Sequence, residues 1–366
     1  MRTLAWLSSV AHNRLGAVPR PRWCTYLVTY RCNARCGMCD SWRLKPGREL
    51  AVADVARVFA KLGRLDVVRL SGGEPFLRED FTELAQAVQA ASDPMVLHVT
   101  TNGSFPARVE AFARAFASPG LRIMVSLDGL AAEHDRNRGA DVTFDLALET
   151  IERLRRAQVQ VSVNHTVISP QSLADAAPLR ARLAARGVDV HTVLAYADSA
   201  MYSIKLRGKR AEALLSSRRY PLHPALQGAD VVGFVDDELR ALPSIADHGT
   251  RLAKRYYLEG LRARLDGNAA AAPAGPRCVA LRSHVRLLPD GGVPVCQFNS
   301  ERVGNLAEQS WDELWHGAAA SDARRWVDAC TGCWAECEVL PSAIYTGDLL
   351  RAVPRTVRDS VVAVVK

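Results

Sequence analysis

Three cysteines follow one another closely near the amino end of the chain, at positions 32, 36 and 39. Three thiolates on one short segment could bind three irons of a [4Fe-4S] cluster. Clusters that a protein ligates completely have four cysteines, so the fourth iron would keep open positions and could bind and reduce an external molecule. A zinc site is the alternative, and it would need a distant fourth ligand. The spacing of Cys32, Cys36 and Cys39 favours the iron–sulfur cluster.

Alternating strand and helix patterns must position this segment. Short β-rich runs alternate with stretches of helical apolar spacing, and six such βα units predict a parallel sheet with helices outside. The expected α/β architecture is a partial (β/α)6 barrel or a doubly wound sheet, with the active site at the carboxyl ends of the strands in either case. The candidate strands are Trp23–Thr29, Val67–Leu70, Met95–Thr101, Leu121–Leu127, Val159–Val167 and Val188–Ala195.

Polar and glycine-rich signals follow these strands in order. The first, Ser71-Gly72-Gly73-Glu74-Pro75, combines glycines that let the backbone approach a ligand with acceptors for an ammonium group. Taken singly the signals have plainer interpretations, since Asn-Gly and Asp-Gly are common turns and Asn164 could satisfy a buried backbone group. Their regular placement at strand ends favours function. The later signals are Thr100-Thr101-Asn102-Gly103, Ser126-Leu127-Asp128-Gly129 and Asn164-His165-Thr166.

The C-x3-C-x2-C spacing after the first strand, followed by Gly72-Gly73-Glu74-Pro75, resembles the radical S-adenosylmethionine (SAM) superfamily. The resemblance implies that Cys32, Cys36 and Cys39 hold a [4Fe-4S] cluster whose open iron binds and cleaves SAM. It also implies a set of SAM contacts, with Met38 in an adenine position that is usually aromatic. The expected SAM contacts are Met38, Gly72, Gly73, Glu74, Pro75, Asn102, Ser126, Asp128 and Asn164. The run 134–139 would border the active site in this family, with a solvated charge run as the alternative.

The cysteines near the carboxyl end are similar to those of SPASM and twitch domains. Cys278, twelve residues, Gly291, four residues and Cys296 match the hairpin spacing of these domains, and Cys330 and Cys333 add a pair. These four thiolates could ligate one auxiliary [4Fe-4S] cluster completely, and a structural zinc site is the alternative. A fifth cysteine, Cys337, is a less certain ligand, and Cys24 is expected not to be one. Five cysteines, against seven in the full SPASM pattern, favour a single auxiliary cluster.

Composition narrows the class of protein. The chain has 366 residues and a net charge of +8, and its arginines are spread rather than gathered in a basic block, so we expect no nucleic-acid partner. An odd number of cysteines in tight groups suits metal ligation in a reducing cytoplasm better than disulfides. No apolar run is long enough to span a bilayer. The segment Leu4–Ala11 is expected to form an amphipathic helix that caps the domain, with peripheral membrane contact as a weaker alternative.

These patterns predict a division into five segments. Residues 1–22 form an amino-terminal helix or extension, 23–200 the radical SAM core, and 201–276 a helical region that ends in an Ala/Pro/Gly linker. Residues 277–340 form the SPASM or twitch-like domain, and 341–366 a tail.

The resemblance implies an enzyme that cleaves SAM reductively and removes hydrogen from a substrate. With an auxiliary cluster as electron acceptor, the net reaction is predicted to be a two-electron oxidation of a small polar metabolite, such as a sugar or aminocyclitol alcohol. An electron donor such as flavodoxin or ferredoxin is expected. Maturation of a ribosomal peptide is an alternative. Enzymes of that kind often have an additional amino-terminal peptide-binding domain, whereas only about twenty residues precede the first strand here. Modification of a lipid or glycan, and a zinc-bound scaffold without SAM chemistry, remain further alternatives.

Overall fold

Seven parallel strands form one sheet in a computed structural model that describes residues 2–45, 47–116, 118–141, 143–197, 199–206, 208, 219–245, 247–265 and 274–352. Their spatial order is β6-β5-β4-β3-β2-β1-β7, and the two outer strands do not pair with each other, so the barrel is open. The strands are β1 Trp23–Thr29, β2 Val67–Gly72, β3 Val96–Thr101, β4 Leu121–Ser126, β5 Gln160–Val167, β6 Asp189–Leu194 and β7 His284–Leu287.

The partial barrel predicted from the sequence is confirmed. All six candidate strands form, and none of their ends differs from the expected one by more than two residues. The seventh strand, β7, was not predicted. It comes from the carboxyl-terminal part of the chain and pairs with β1, with Trp23 opposite His284 and Tyr26 opposite Leu287. The cysteine-rich carboxyl-terminal region is therefore joined to the core by backbone hydrogen bonds.

Helices cover the outer face of the sheet, as expected for right-handed βα units. In α2, for example, Val55, Phe59 and Leu62 fall on one face of the helix and are buried. Helix α7 begins at Pro170, and Ser169 and Ser172 cap its first turn reciprocally. The helices of this half are α1 Arg2–Leu15, α2 Val52–Leu62, α3 Phe81–Ser92, α4 Pro106–Ala115, α5 Ala131–Arg138, α6 Thr143–Arg156 and α7 Pro170–Ala184.

Successive residues of each strand alternate between this helical shell and the barrel interior. In β3, Leu97 and Val99 are fully buried in the outer core, whereas His98 and Thr100 lie on the inner face and are partly exposed. The inner face is thus polar, and it lines the open interior of the barrel. In a closed barrel, apolar side chains fill the interior. In this open barrel, the interior has room for a ligand and offers it polar side chains.

The remaining elements close one end of the barrel and carry the second cysteine group. An antiparallel hairpin, β8 Gly292–Cys296 and β9 Asn299–Asn305, bears Cys296. Helix α12 continues past position 341, and 353–366, which contain most of the expected tail, lie outside the described residues, as do 266–273 of the expected linker. The helices are α8 Val231–Ala241, α9 His248–Leu265, α10 Trp311–His316, α11 Ala318–Ala329 and α12 Glu336–Thr346.

Helix α1 packs on α12, as expected for a capping helix. Trp6 donates a hydrogen bond to the carbonyl of Ile344, and Asn13 donates to Ser283 and to the carbonyl of Tyr345. Leu4 and Leu7 remain exposed on its other side. Every helix in the described ranges is too short or too polar to span a lipid bilayer.

Candidate active site

The cysteine loop leaves β1 at the carboxyl end of the sheet. The Sγ atom of Cys36 accepts a hydrogen bond from Nη1 of Arg138 at 3.5 Å, and that of Cys39 accepts one from the backbone of Ser41 at 3.4 Å. Burial raises the pKa of the Cys32 thiol to about 11 and that of Cys39 to about 12. The free thiols are therefore protonated near neutral pH, and a thiolate-binding metal must displace their protons.

A cavity of about 280 Å³, which we call the upper cavity, opens beside this loop. It lies at the carboxyl ends of the strands, where the sequence places the active site. Side chains of all three cysteines of the loop reach it. Six of the nine expected SAM contacts also line it, namely Met38, Gly72, Gly73, Asn102, Ser126 and Asn164. The barrel thus brings together residues that are separated by more than a hundred positions in the chain.

The glycine pair after β2 packs against the base of the cysteine loop. A Cβ on Gly72 would lie 2.3 Å from the carbonyl oxygen of Thr29, and one on Gly73 only 2.1 Å from that of Arg31. The amide of Gly73 donates to Thr29, and that of Glu74 donates to Arg31. The sequence predicts that these glycines let the backbone approach a ligand. The structure adds a second reason for glycine at both positions, because a Cβ there would collide with the backbone of Thr29 and Arg31.

Glu74 lies behind the cavity wall instead of lining it. Its fully buried carboxylate accepts hydrogen bonds from the amides of Phe76 and Asn102 and from the hydroxyl of Thr101. Burial raises its pKa to about 7 despite these donors. Asn102 in turn donates to Asn33 of the cysteine loop at 2.8 Å. In the structure Glu74 therefore positions the loops around the cavity, and Pro75 lies with it behind the wall.

Asp128 is also buried behind the wall, where it holds Arg138. Its Oδ2 atom pairs with Nη2 of Arg138 at 2.7 Å and accepts a hydrogen bond from Asn137 at 2.6 Å. The carbonyls of Arg138 and Asn137 accept from the amides of Arg35 and Gly37, so the end of α5 fastens the cysteine loop. Within the run 134–139, Arg138 lines the upper cavity and His134 and Asn137 are buried, whereas Arg136 is exposed, so only part of the run borders the cavity.

A second group of thiols gathers in the carboxyl-terminal region. Cys278, Cys296, Cys330 and Cys333 all have a raised pKa, chiefly because they are buried. The adjacent carboxylate of Glu338 adds to this increase in each case. Cys278 and Cys296 also contribute to the raised pKa of Cys333, and Cys330 to that of Cys278. The four expected auxiliary ligands therefore lie within electrostatic range of one another.

The remaining two cysteines are Cys337 and Cys24. Burial raises the pKa of Cys337, and Arg286, which hydrogen-bonds it, opposes this increase. Cys24 is fully buried in the outer core of β1. Within the described part of the chain, no three His, Cys, Asp or Glu side chains are grouped as ligands of one metal ion.

Two family models match the chain. The model of the radical SAM superfamily matches residues 26–182, and that of the SPASM domain, an iron–sulfur cluster-binding domain, matches residues 278–334. The chain contains a radical SAM domain and a SPASM domain. The first implies a [4Fe-4S] cluster that binds SAM, and the second implies an auxiliary iron–sulfur cluster. Both cysteine groups described above fall within the matched ranges.

Curated relatives match different shares of the chain. GTP 3′,8-cyclase of Aquifex aeolicus is 33% identical over 151 residues, 38% of this chain and 46% of the cyclase. Mycofactocin maturase MftC of Mycolicibacterium smegmatis is 34% identical over 170 residues, 44% of this chain and 42% of the maturase. The chain thus spans less than half the length of these two relatives. Fe-coproporphyrin III synthase of Methanosarcina barkeri is 26% identical over 304 residues, 79% of this chain and 72% of the synthase.

Solved structures share the fold over most of the chain. Native anSMEcpe with bound AdoMet has a TM-score of 0.61 at 16% identity, covering 93% of this chain and 99% of that one. SuiB of Streptococcus suis bound to S-adenosylmethionine has a TM-score of 0.59 at 14% identity, covering 86% of this chain and 70% of that one. At these identities the likeness concerns the fold.

Several residues of the upper cavity were not singled out from the sequence. Arg138 was named only as part of a charged run, and Tyr196, Ser199 and Tyr202 follow the last predicted strand without a motif, yet all four line the upper cavity. The one available signal was position, since residues that follow a strand of a parallel barrel lie at its catalytic end.

Proposed function

We propose that Cys32, Cys36 and Cys39 ligate the cluster that cleaves SAM, and that the upper cavity holds SAM and the reacting carbon of the substrate. One observation carries the proposal: three thiols of a single loop and the polar ends of four strands face the same cavity. Each cysteine that ligates a [4Fe-4S] cluster binds a different iron. The three Sγ atoms therefore need not converge on one point.

When bound, a cluster with one open iron supplies the electron that splits SAM into methionine and a 5′-deoxyadenosyl radical. The chain's own residues orient the reactants. The hydroxyl of Ser126 lines the cavity and has no hydrogen-bond partner among the residues that the structure describes, so it is available to the SAM carboxylate. Nearby, Asn164 donates to Thr166 at 3.1 Å, which orients its carbonyl oxygen as an acceptor. Met38 is placed for apolar contact with the adenine.

We further propose a net two-electron oxidation. A hydrogen atom leaves the substrate carbon for the 5′-deoxyadenosyl radical, one more electron goes to the auxiliary centre, and a proton goes to solvent. A flavodoxin or ferredoxin supplies the electron for SAM cleavage. Cys278, Cys296, Cys330 and Cys333 are the proposed ligands of that centre, because burial and mutual proximity characterise all four.

As substrate we propose a small polar metabolite, such as a sugar or aminocyclitol alcohol. Most of the lining surface of the upper cavity is apolar, and its serine, threonine and tyrosine side chains can recognise the hydroxyl groups of such a substrate. A second candidate is a side chain of a ribosomal peptide. The mycofactocin maturase supports it, as does SuiB, which has also been solved bound to its precursor peptide SuiA.

Anaerobic purification followed by metal analysis and product assay tests the proposal. We expect a brown protein with about eight irons per chain that forms 5′-deoxyadenosine when reduced with SAM. Cys32→Ala should reduce this product to background, whereas Cys24→Ala, a buried cysteine outside both groups, should retain it. A colourless zinc protein, or parental SAM cleavage by Cys32→Ala, would overturn the assignment.

Deuterated metabolites and peptides distinguish the two substrate classes. The true substrate transfers deuterium from its reacting carbon into 5′-deoxyadenosine, and the product loses two electrons. Transfer from a sugar or cyclitol supports the first candidate, and transfer from a peptide supports the second.

A further inference from the structure

A second cavity, of about 400 Å³, lies at the amino ends of the same strands. We call it the lower cavity. Helices α9 and α12 contribute its far wall. No expected SAM contact and no expected cluster ligand other than the doubtful Cys337 lines it. Its charged and titratable lining includes Arg69, His98, Arg122, His191, Lys254 and Glu336.

The two cavities are stacked along the barrel interior. Arg69 and His98 line the lower cavity, and Ser71 and Thr100, two positions further along β2 and β3, line the upper one. Residues two apart in a strand face the same side, and two steps advance the chain by roughly 7 Å. A group bound beside Arg69 would therefore lie about one layer of side chains beneath the upper cavity.

The cationic side chains that line the lower cavity differ in their ion pairs and hydrogen bonds. Lys254 pairs with Glu336 at 2.8 Å, and Arg122 donates to two backbone carbonyls. Arg69 has neither an ion pair nor a hydrogen bond to any residue in the described ranges, and its Nε is buried. Asp189 and Asp247 also line the cavity, but neither pairs with Arg69. Arg69 is partly buried, and Glu336, the carboxylate whose pKa it helps to lower, is paired with Lys254 instead. Its guanidinium is therefore available to a further negative partner.

His98 stands beside this guanidinium. Its Nδ1 atom is buried without a hydrogen-bond partner in the described part of the chain. Burial first, and then the nearby Arg69, keep the pKa of His98 well below its usual value. The imidazole is therefore neutral at pH 7, and its N–H can donate to an acceptor in the cavity.

We propose that the lower cavity binds an oxyanion, a carboxylate or a phosphate, held by Arg69 with His98 beside it. The planar guanidinium donates two parallel N–H groups that match either anion. Where the proposed function holds, this anion is a charged group of the substrate whose reacting carbon lies in the upper cavity. A free anion bound independently of the substrate has the same chemistry, and the tests below separate the two sources.

Titration calorimetry of the anaerobically purified protein, in buffer free of other oxyanions, tests the site with inorganic phosphate and with succinate. One anion should bind per chain, and Arg69→Gln should weaken it about tenfold or more. The matched control is Arg64→Gln, since Arg64 pairs with Asp93 on the exposed surface. No binding of either anion, or equal binding by Arg69→Gln, would overturn the site.

Histidine NMR of the unaltered protein removes any dependence on how well the variant folds. A bound anion should raise the pKa of His98, whose resonance is assigned with His98→Gln. The resonance of the exposed His12 should not change when the anion is added. An unmoved His98 resonance at saturating phosphate would overturn the proposal.

Two activity measurements separate this site from the proposed function. Arg69→Gln should form 5′-deoxyadenosine without substrate at the parent rate, so loss of anion binding is distinguishable from loss of SAM cleavage. Loss of that basal reaction with anion binding intact would contradict the assigned role of Arg69. The second measurement uses the substrate found by deuterium transfer and determines its KM with and without phosphate. A KM that rises with phosphate assigns the anion site to the substrate, and an unchanged KM assigns it to a free ligand.

Discussion

At the scale of single residues, the wall of the upper cavity depends on charges that it buries. Asp128 and Arg138 form a pair that is almost completely removed from solvent, and Arg138 also reaches the Sγ atom of Cys36. Removing one member of such a pair leaves the other charged and unsolvated, which costs far more than the pair contributes when intact.

The cost of leaving one charge unpaired leads to a prediction for Asp128 and Arg138. Arg138→Gln should lower the free energy of unfolding by about 3 kcal/mol. The double variant Arg138→Gln with Asp128→Asn should recover part of that loss, because no unpaired carboxylate remains. Urea unfolding of the wild type, both single variants and the double variant measures the coupling. Additive losses would mean that the pair is not energetically coupled.

Cys330 provides a second prediction at this scale. Cys330→Ala should spare SAM cleavage in the absence of substrate but abolish substrate product, because its proposed role is in the auxiliary site alone. Iron content should fall by up to four atoms per chain. Cys337→Ala is the matched control, since Cys337 hydrogen-bonds Arg286 and is not one of the four proposed ligands. Unaltered turnover by Cys330→Ala would rule out this role, and loss of iron in Cys337→Ala would make Cys337 a ligand.

At the scale of elements, loops after different strands hold one another in place. The glycine pair after β2 touches the backbone that follows β1, and Glu74 connects it to the loop after β3. The cysteine loop is fastened on its other side by the end of α5. The geometry of the three thiols thus depends on contacts with three separate elements.

Gly73→Ala tests that dependence. The added methyl group would lie 2.1 Å from the carbonyl oxygen of Arg31, so the two loops must separate. We expect a loss of about 1–3 kcal/mol in the free energy of unfolding, together with loss of iron at the amino-terminal site. Gly47→Ala is the control, because a Cβ there meets no atom within 4 Å. Equal iron content and SAM cleavage in both variants would show that the contact is dispensable.

At the scale of the whole molecule, several histidines are buried in neutral form. Burial is the main cause that lowers the pKa of His134, His165 and His191 to about 4 in each case. In the unfolded chain these groups titrate near 6.5. Between these values the unfolded state binds more protons than the folded state, so acid favours unfolding.

We therefore expect stability to fall as the pH drops from about 6.5 towards 4. Each fully shifted histidine should contribute a loss of about 1 kcal/mol per pH unit across this window. Urea midpoints measured at several pH values check the slope, and His165→Gln should flatten it, whereas His12→Gln, at an exposed position, should not. A wild-type midpoint that is constant between pH 6.5 and 4.5 would contradict the prediction.

Much of the fold was readable from the sequence because its signals are local. Val67–Leu70 and the other five candidate strands are short β-rich runs within the local sequence, and each βα repeat allows a single handedness. The Cys32 loop follows β1 directly, so its place at the catalytic end required no knowledge of distant contacts. The strand β7 escaped prediction because its partner, β1, lies about 260 positions away.

The same distinction between local and distant signals applies to the residues of the site. Residue type and spacing predicted a metal-binding loop at Cys32, Cys36 and Cys39, and placed Ser126 and Asn164 at strand ends. Only the tertiary structure decided that Glu74 and Asp128 lie behind the wall and that Arg69 has no ion pair with any residue that the structure describes. Whether a side chain faces a cavity, a partner or another loop depends on elements packed against it from elsewhere in the chain, and a local pattern carries no information about them.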